Sequence, residues 1–212
     1  MRTNRLDRIR RKLGTLSSYD IEECADLDLG VKKHGFLLAP PLLESEAVAF
    51  EERYGILLPP EYRIFVTSVG SSGAGPYYGL LSLAKATDHL NCDDEAAYKR
   101  MLGAISPLSD KAYRDGWLVE VGGENWKEKR YASESWDPFQ GTMAICDQGC
   151  TYYTVLVLSG PYCGTIWNID ICLSPPVRAP YSGFLDYYED WVDRMVAKEK
   201  QFWYGYPRSQ KG

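Results

Sequence analysis

Apolar residues recur along this chain with two different periods, and the places where the period changes divide it into elements. Near the start, Leu6, Ile9 and Leu13 stand at helical spacing, with Thr3 or Asn4 available as cap and Gly14 as stop, which predicts an amphipathic helix over 3–13 with a basic outer face. Asp20 to Leu29 predicts another turn or two of helix, Glu23 standing in capping-box register with Asp20. Ser45 then caps a helix lined by Ala47, Phe50 and Tyr54 and ended by Gly55. Pro59 and Pro60 forbid its continuation, whereas Pro60 suits the first turn of a new helix, where its missing N–H costs nothing. Tyr62, Phe65, Val66 and Val69 follow at i, i+3, i+4 and i+7 up to Gly70, so two short helices meet at a proline corner. The run GSSGAGPYYG (70–79) reads as a loop, Leu80 to Leu83 as a short strand, and Asp93 to Leu102 as helix.

The preference turns to strand over Gly116 to Val121 and again from Gly141 to Ile171. Thr151 to Leu158 is almost wholly β-branched or aromatic and is joined by the turn Ser159–Tyr162 to Cys163–Ile169, which predicts a hairpin at the centre of an antiparallel sheet. Residues 122–140 read as a polar loop carrying Trp126, Tyr131, Trp136 and Phe139, aromatics that are either pinned beneath it or held out as partner anchors. In the closing segment, Phe184, Leu185, Tyr188, Trp191, Val192 and Met195 predict a strongly amphipathic helix with its acids early and its bases late. Its aromatic face is expected in the core and its acidic side free to meet a partner. The tail Gln201–Gly212 is expected to fray. The fold class is therefore α+β, a mostly antiparallel multi-stranded sheet flanked by helices, divided into a helical extension (1–42), a main domain (43–198) and a tail (199–212).

A chain of 212 residues, 45% hydrophobic, buries one sizeable core without disulfides or a metal. No run approaches the roughly 18–20 apolar residues that span a bilayer, and no secretory h-region opens the chain, so the expectation is a cytoplasmic protein without a membrane partner. The six cysteines are then read as reduced thiols, mostly core-filling, and the C-x3-C of Cys146 and Cys150 fits no compact zinc site. Residues 1–12 hold six basic side chains against the one acid Asp7, a local charge of +5 that leaves −10 on the rest of a chain of net −5. An acidic body repels nucleic acid and attracts basic partners. For the basic first helix, a solvated helix packed on the domain and an anionic-surface role both stay open.

Catalytic candidates are sparse. His34 and His89 stand in no mechanistic spacing and are expected at the surface or in loops; the pairs Glu51/Glu52, Asp93/Asp94 and Glu189/Asp190 point in diverging directions; and the glycines after Val69 lack the Lys-Ser/Thr ending of a phosphate loop. No catalytic residue, metal ligand or cofactor is assigned, and the chain is read as a binding protein, with a monomer favoured.

Two segments carry a resemblance: FEERYGILLPPEYRIFVTSVG (50–70) with GPYYGLLSL (75–83), and ICDQGCTYYTVLVLSGPYCGTIWNID (145–170). Together with the closing helix they resemble the Smi/Knr cell-wall-assembly-regulator domain of the SUKH superfamily. The matching positions are Phe50, Glu51, Tyr54, Gly55, Leu58, Pro59, Glu61, Tyr62, Gly75, Pro76, Gly79, Asp147, Gly149, Trp167 and Asp170, over roughly Leu43 to Val196. Cys146, where a glycine is more typical, and the long aromatic loop at 122–140 depart from the pattern. The resemblance implies an α+β sheet flanked by helices. It also implies an immunity protein that neutralises a cognate polymorphic or contact-dependent toxin, often a nuclease, or alternatively a regulatory interaction scaffold. Trp126 and Trp136 are the candidate apolar anchors, and Asp94, Glu124, Asp137 and Asp147 the candidate charged contacts, with a turn-shaping role for Asp147 and Gly149 equally open.

Overall fold

The structure, a computed structural model, describes residues 2–90, 92, 94–112 and 115–200, with side chains from Arg5 onward. The expected fraying over 201–212 concerns residues outside that description. Among the described residues the elements run α1 (Arg2–Leu16), α2 (Ile21–Cys24), α3 (Val31–His34), α4 (Glu44–Tyr54), α5 (Pro60–Ser68), α6 (Glu95–Gly103), α7 (Trp117–Gly122), α8 (Trp126–Tyr131), β1 (Thr142–Gly149), β2 (Tyr152–Val157), β3 (Ile166–Asp170), β4 (Val177–Arg178) and α9 (Phe184–Val196). The strands form one antiparallel sheet in the order β1-β2-β3-β4, so the expected hairpin is its centre and the class is α+β.

The sheet does not stop at β1. Single bridges continue it outward from Cys146 to Leu80, from Leu80 to Gly73 and from Gly73 to Leu38, so the glycine-rich stretch expected as a plain loop is an irregular extension of the sheet. Glycine is needed there because a Cβ on Gly73, at φ 104°, would stand 2.4 Å from the Leu37 carbonyl oxygen. Leu80 to Leu83, read as a strand, contributes this bridge at Leu80 and then turns into a short 3-10 helix at Leu83–Lys85.

Helix α9 crosses one face of the sheet and organises the core. Tyr187 Oη donates to Cys146 Sγ of β1 (3.7 Å) and Tyr188 Oη donates to the Ala74 carbonyl (2.9 Å). Phe65 of α5 packs on Tyr188 at 4.5 Å between centroids, and Tyr62 meets Phe184 edge-on at 4.9 Å. Glu61, in the first turn of α5, accepts the Leu185 N–H at the start of α9 (3.1 Å), and its carboxylate lies close against Gly183, where a Cβ would push it aside. The proline corner is locked similarly. Buried Glu51 of α4 accepts the Leu58 N–H (2.9 Å) and pairs with Arg63 of α5 (3.2 Å), which also reaches Glu44.

Helix α1 is part of this core. Leu6, Ile9, Leu13 and Leu16 are buried in the same hydrophobic cluster as the sheet and α9, so residues 1–42 share the packing of the main domain. The helix starts at Arg2, ahead of the expected cap, and runs through Gly14 to bury Leu16. One stripe of α1, Arg5, Arg8 and Lys12, lies along Asp186, Glu189 and Asp193 of α9, both series advancing by i, i+3 and i+7. Glu189 receives Arg5 (2.7 Å), Arg8 (2.8 Å) and Lys12 (2.9 Å). The acidic side of α9 expected to face a partner is therefore covered, and much of the basic face of α1 is spent on it.

These bases hold the Glu189 carboxyl down to about 2, the Arg8 hydrogen bond contributing most. A depressed carboxyl stabilises the fold above its unfolded value of 4.5, and the contribution is lost as pH falls toward 2. Glu189→Gln is expected to cost about 2 kcal/mol at pH 7, allowing for solvent screening, and to lose that penalty near pH 2. Urea unfolding at the two pH values checks it; a pH-independent difference would contradict the ion-pair origin.

Other expectations are corrected. Gly116–Val121, read as strand, is the helix α7, with the Val119 and Glu120 N–H groups both bonded to the Gly116 carbonyl (3.0 Å). Its β-forming composition is overridden because Trp117 is buried by a turn of helix. Residues 122–140 contain the helix α8, formed after the Gly123 turn. For α4 the cap is not Ser45: the helix has begun at Glu44, and Glu46 accepts the Leu43 N–H (2.7 Å). Asp20 caps α2 as expected, but Glu23 pairs with Lys198 rather than turning back. The cysteines divide evenly, Cys24, Cys92 and Cys146 buried and Cys150, Cys163 and Cys172 exposed, so core filling describes half of them.

Candidate functional site

The six residues singled out from the sequence fall into two groups. Asp94 is the N-cap of α6, accepting the Ala97 N–H (2.6 Å), while Asp93, the expected first residue of that helix, lies outside the described residues. Asp137 is 2% exposed and bound to Arg130 (2.9 Å), itself 3% exposed. Arg130 also donates to the Ile171 carbonyl (3.2 Å) and Tyr131 Oη (3.0 Å), and Asp137 accepts the Phe139 N–H (2.7 Å). Burial pushes the Asp137 carboxyl up, and the Arg130 charge opposes that shift. Asp147 accepts the Gly149 N–H (2.7 Å), closing a tight β1–β2 turn in which Cys150 takes φ 52°. These three carboxylates are committed to the fold: a cap, a buried ion pair and a turn.

Trp126, Trp136 and Glu124 are placed differently. Gly122, at the end of α7, is buried under both indoles: a Cβ there would stand 2.6 Å from Trp126 Cβ and 2.8 Å from Trp136 Cη2. The missing side chain is what lets two partly buried tryptophans share one spot. Lys129 closes the same turn by donating to the Gly122 carbonyl (2.8 Å), and the Lys127 ammonium lies 5.4 Å from the Trp126 ring centroid. Val119 and Tyr131, the latter 57% exposed, are also exposed in this stretch, as are Glu120, Glu124 and Glu128. Of the four aromatics in this segment only Phe139 is fully buried. Trp126 and Trp136 are thus partly buried, and the neighbouring Asp137 is fully buried.

Three buried titratable groups escaped the sequence reading. His34 and His89, expected at the surface or in loops, are both buried, His34 at the end of α3 and His89 in a turn. The His34 Nδ1 accepts the Phe36 N–H (3.0 Å), and its ring meets Trp191 edge-on at 5.9 Å. The His89 Nε2 donates to Thr142 Oγ1 (2.9 Å), whose own proton goes to the Phe139 carbonyl (2.6 Å). Burial lowers both imidazoles, His34 to about 4 and His89 to about 3, so each is neutral at pH 7. Asp28, 5% exposed, is pushed up to about 7 by burial, although Trp191 Nε1 (2.9 Å), the Tyr77 N–H (2.9 Å) and the Leu29 N–H (2.8 Å) all donate to it. A carboxyl near 7 has the pKa of a general base, yet its oxygens are taken up by protein donors. It ties α9 to the 70–79 stretch and supports Tyr77 at φ 58°. No sequence period marks such groups, because burial comes from distant elements.

Concavities open to solvent include two among the described residues. One, of about 390 Å³, lies between α3 and the 72–85 stretch, with Lys33, Tyr78 and Lys85 on its walls. The other, of about 590 Å³, runs between the end of α4 and α6. Among the described residues no three His, Cys, Asp or Glu side chains gather as metal ligands, and no helix is long and apolar enough to cross a membrane. Set against protein-family models, curated proteins and solved structures, the chain matches none of them.

Proposed function

We propose that this protein is an immunity protein: it binds a cognate toxin and blocks it, using the α7–α8 surface as the contact. The observation that carries this is the pair Trp126 and Trp136 meeting over Gly122, each only partly buried, in a stretch whose Glu120, Glu124 and Glu128 are exposed. Paired indoles supply the desolvated anchor that dominates binding energy, and carboxylates around them steer a basic partner such as a nuclease. The resemblance of 50–83 and 145–170 to the Smi/Knr domain supports the same reading. The two histidines are neutral and buried, and Asp137 and Asp147 are bonded within the fold, so these four are poor candidates for the contact.

Co-expression with the toxin encoded beside this protein tests the proposal. The wild-type chain is expected to rescue growth and to form a complex on a sizing column. Trp126→Ala with Trp136→Ala is expected to weaken that complex by about 30-fold or more at an unchanged circular dichroism spectrum. Rescue undiminished by the double variant would move the contact elsewhere, and failure of the wild-type chain to rescue or bind would remove the proposal.

A further inference from the structure

The two indoles of the proposed contact stand on different pieces of chain, and one buried pair of charges joins those pieces. Trp126 is the first residue of α8, whereas Trp136 lies beyond the end of that helix. The Ser135 N–H donates to the Lys129 carbonyl (2.9 Å), which brings the returning segment back against α8. One residue past Trp136, Asp137 meets Arg130 (2.9 Å), and Arg130 stands at i+4 from Trp126 on the helix. Residues at i and i+4 move together when a helix turns about its axis, so whatever fixes Arg130 also fixes the direction of Trp126.

Arg130 is fixed from several sides. Its Nε donates to Asp137 Oδ2, its Nη1 to Tyr131 Oη (3.0 Å) and its Nη2 to the Ile171 carbonyl just past β3 (3.2 Å). A planar guanidinium meets such partners in one orientation, which neither an ammonium nor an aliphatic side chain reproduces. Asp137 is held on its other oxygen by the N–H of the fully buried Phe139 (2.7 Å). Helix, returning segment and the end of β3 are therefore joined at one guanidinium. A buried ion pair adds little net stability over a well-packed apolar pair, but its directed bonds select one arrangement where Met and Leu would pack in several. The contact needs that selection: the indoles close on Gly122 so tightly that a Cβ there would stand 2.6 Å from Trp126 and 2.8 Å from Trp136.

We infer that Arg130 and Asp137 are positioning residues for the contact, their ion pair holding α8 and the returning segment so that Trp126 and Trp136 meet over Gly122. This role rests on the α7–α8 contact proposed above and sets its geometry. Neither residue reaches the partner, since both are almost wholly buried.

Two variants of the full chain test it. Arg130→Met with Asp137→Leu removes the directed bonds while restoring much of the stability that Arg130→Met alone loses. Arg130→Lys keeps a charge beside Asp137 without the forked donation, and decides the matter if the double variant does not fold. In the wild-type chain, nuclear Overhauser cross-peaks are expected from the Gly122 Hα protons to the Trp126 Hβ and Trp136 Hη2 protons. In the variants the Trp136 cross-peak is expected to disappear, and affinity for the toxin encoded beside this protein to fall about tenfold at a native circular dichroism spectrum. A pair that is merely structural predicts the reverse, affinity returning with stability in the double variant. Retained cross-peaks, or wild-type affinity in the folded variants, would each overturn the inference. The cross-peaks are read on the free chain, so their retention counts against the positioning role alone, whereas a wild-type chain that does not bind the toxin counts against the immunity reading.

Discussion

Arg130→Met is expected to lower the unfolding free energy by about 3–5 kcal/mol, because it leaves the Asp137 carboxylate buried without its counter-charge. Both side chains are almost wholly inaccessible, at 3% and 2% exposure, and they meet at 2.9 Å. With the guanidinium gone, the carboxyl, already pushed up by burial, must bind a proton or draw in water. The double change Arg130→Met with Asp137→Leu is expected to recover much of the loss, since the desolvation cost disappears along with the attraction. Recovery should fall short of complete: the Ile171 carbonyl loses a donor and the Phe139 N–H an acceptor. Urea unfolding of the four proteins in a double-mutant cycle measures the coupling. A single-variant loss below about 1 kcal/mol would mean that water already solvates the pair.

Acidification supplies the second large effect. Between pH 6.5 and 4 an unfolded chain protonates His34 and His89, whereas the folded chain holds both neutral down to about 4 and about 3. Stability from a lowered imidazole is complete above 6.5 and lost as pH falls, at about 1.4 kcal/mol per pH unit for each group. Asp28 works in the opposite sense: its raised carboxyl stabilises the fold as pH drops from about 7 toward 3.8. Two contributions against one leave a net loss of about 3 kcal/mol between pH 6.5 and 4, and below 4.5 Glu189 adds to it. His89→Gln keeps a donor for Thr142 Oγ1 without a titrating charge and is expected to bring the slope in this window close to zero. Melting temperatures at half-unit pH steps provide the comparison. An unchanged slope in the variant would show that His89 does not carry its share.

Both predictions concern groups that make the fold, and they sharpen where binding lies. Asp94, Asp137 and Asp147 resemble surface acids in the sequence, yet each is already bonded within the chain. The exposed carboxylates of this stretch are instead Glu120 on α7, Glu124 in the turn after it and Glu128 on α8, while Arg130 of α8 turns inward to Asp137. The acidic stripe of α9 is unavailable, since α1 neutralises it. Three of the six bases in the first twelve residues, Arg5, Arg8 and Lys12, are thus spent on an internal ion-pair seam.

Local chemistry was enough for much of the fold. The proline corner between α4 and α5, the β2–β3 hairpin and helix α9 follow from proline geometry, β-branched runs and a period of 3.6, all effects confined to neighbours in sequence. Tertiary contacts decided the rest. Gly14 does not end α1, because Leu16 has a core position waiting; Gly116–Val121 forms a helix despite its valines; and the 70–79 stretch joins the sheet because Gly73 permits an approach that no side chain allows. The candidate surface was half legible: large aromatics in a polar stretch were visible, but their exposure was not. Burial and charge pairing are properties of residues up to 184 positions apart, as Arg5 and Glu189 are, and no local pattern encodes the environment such distant partners create.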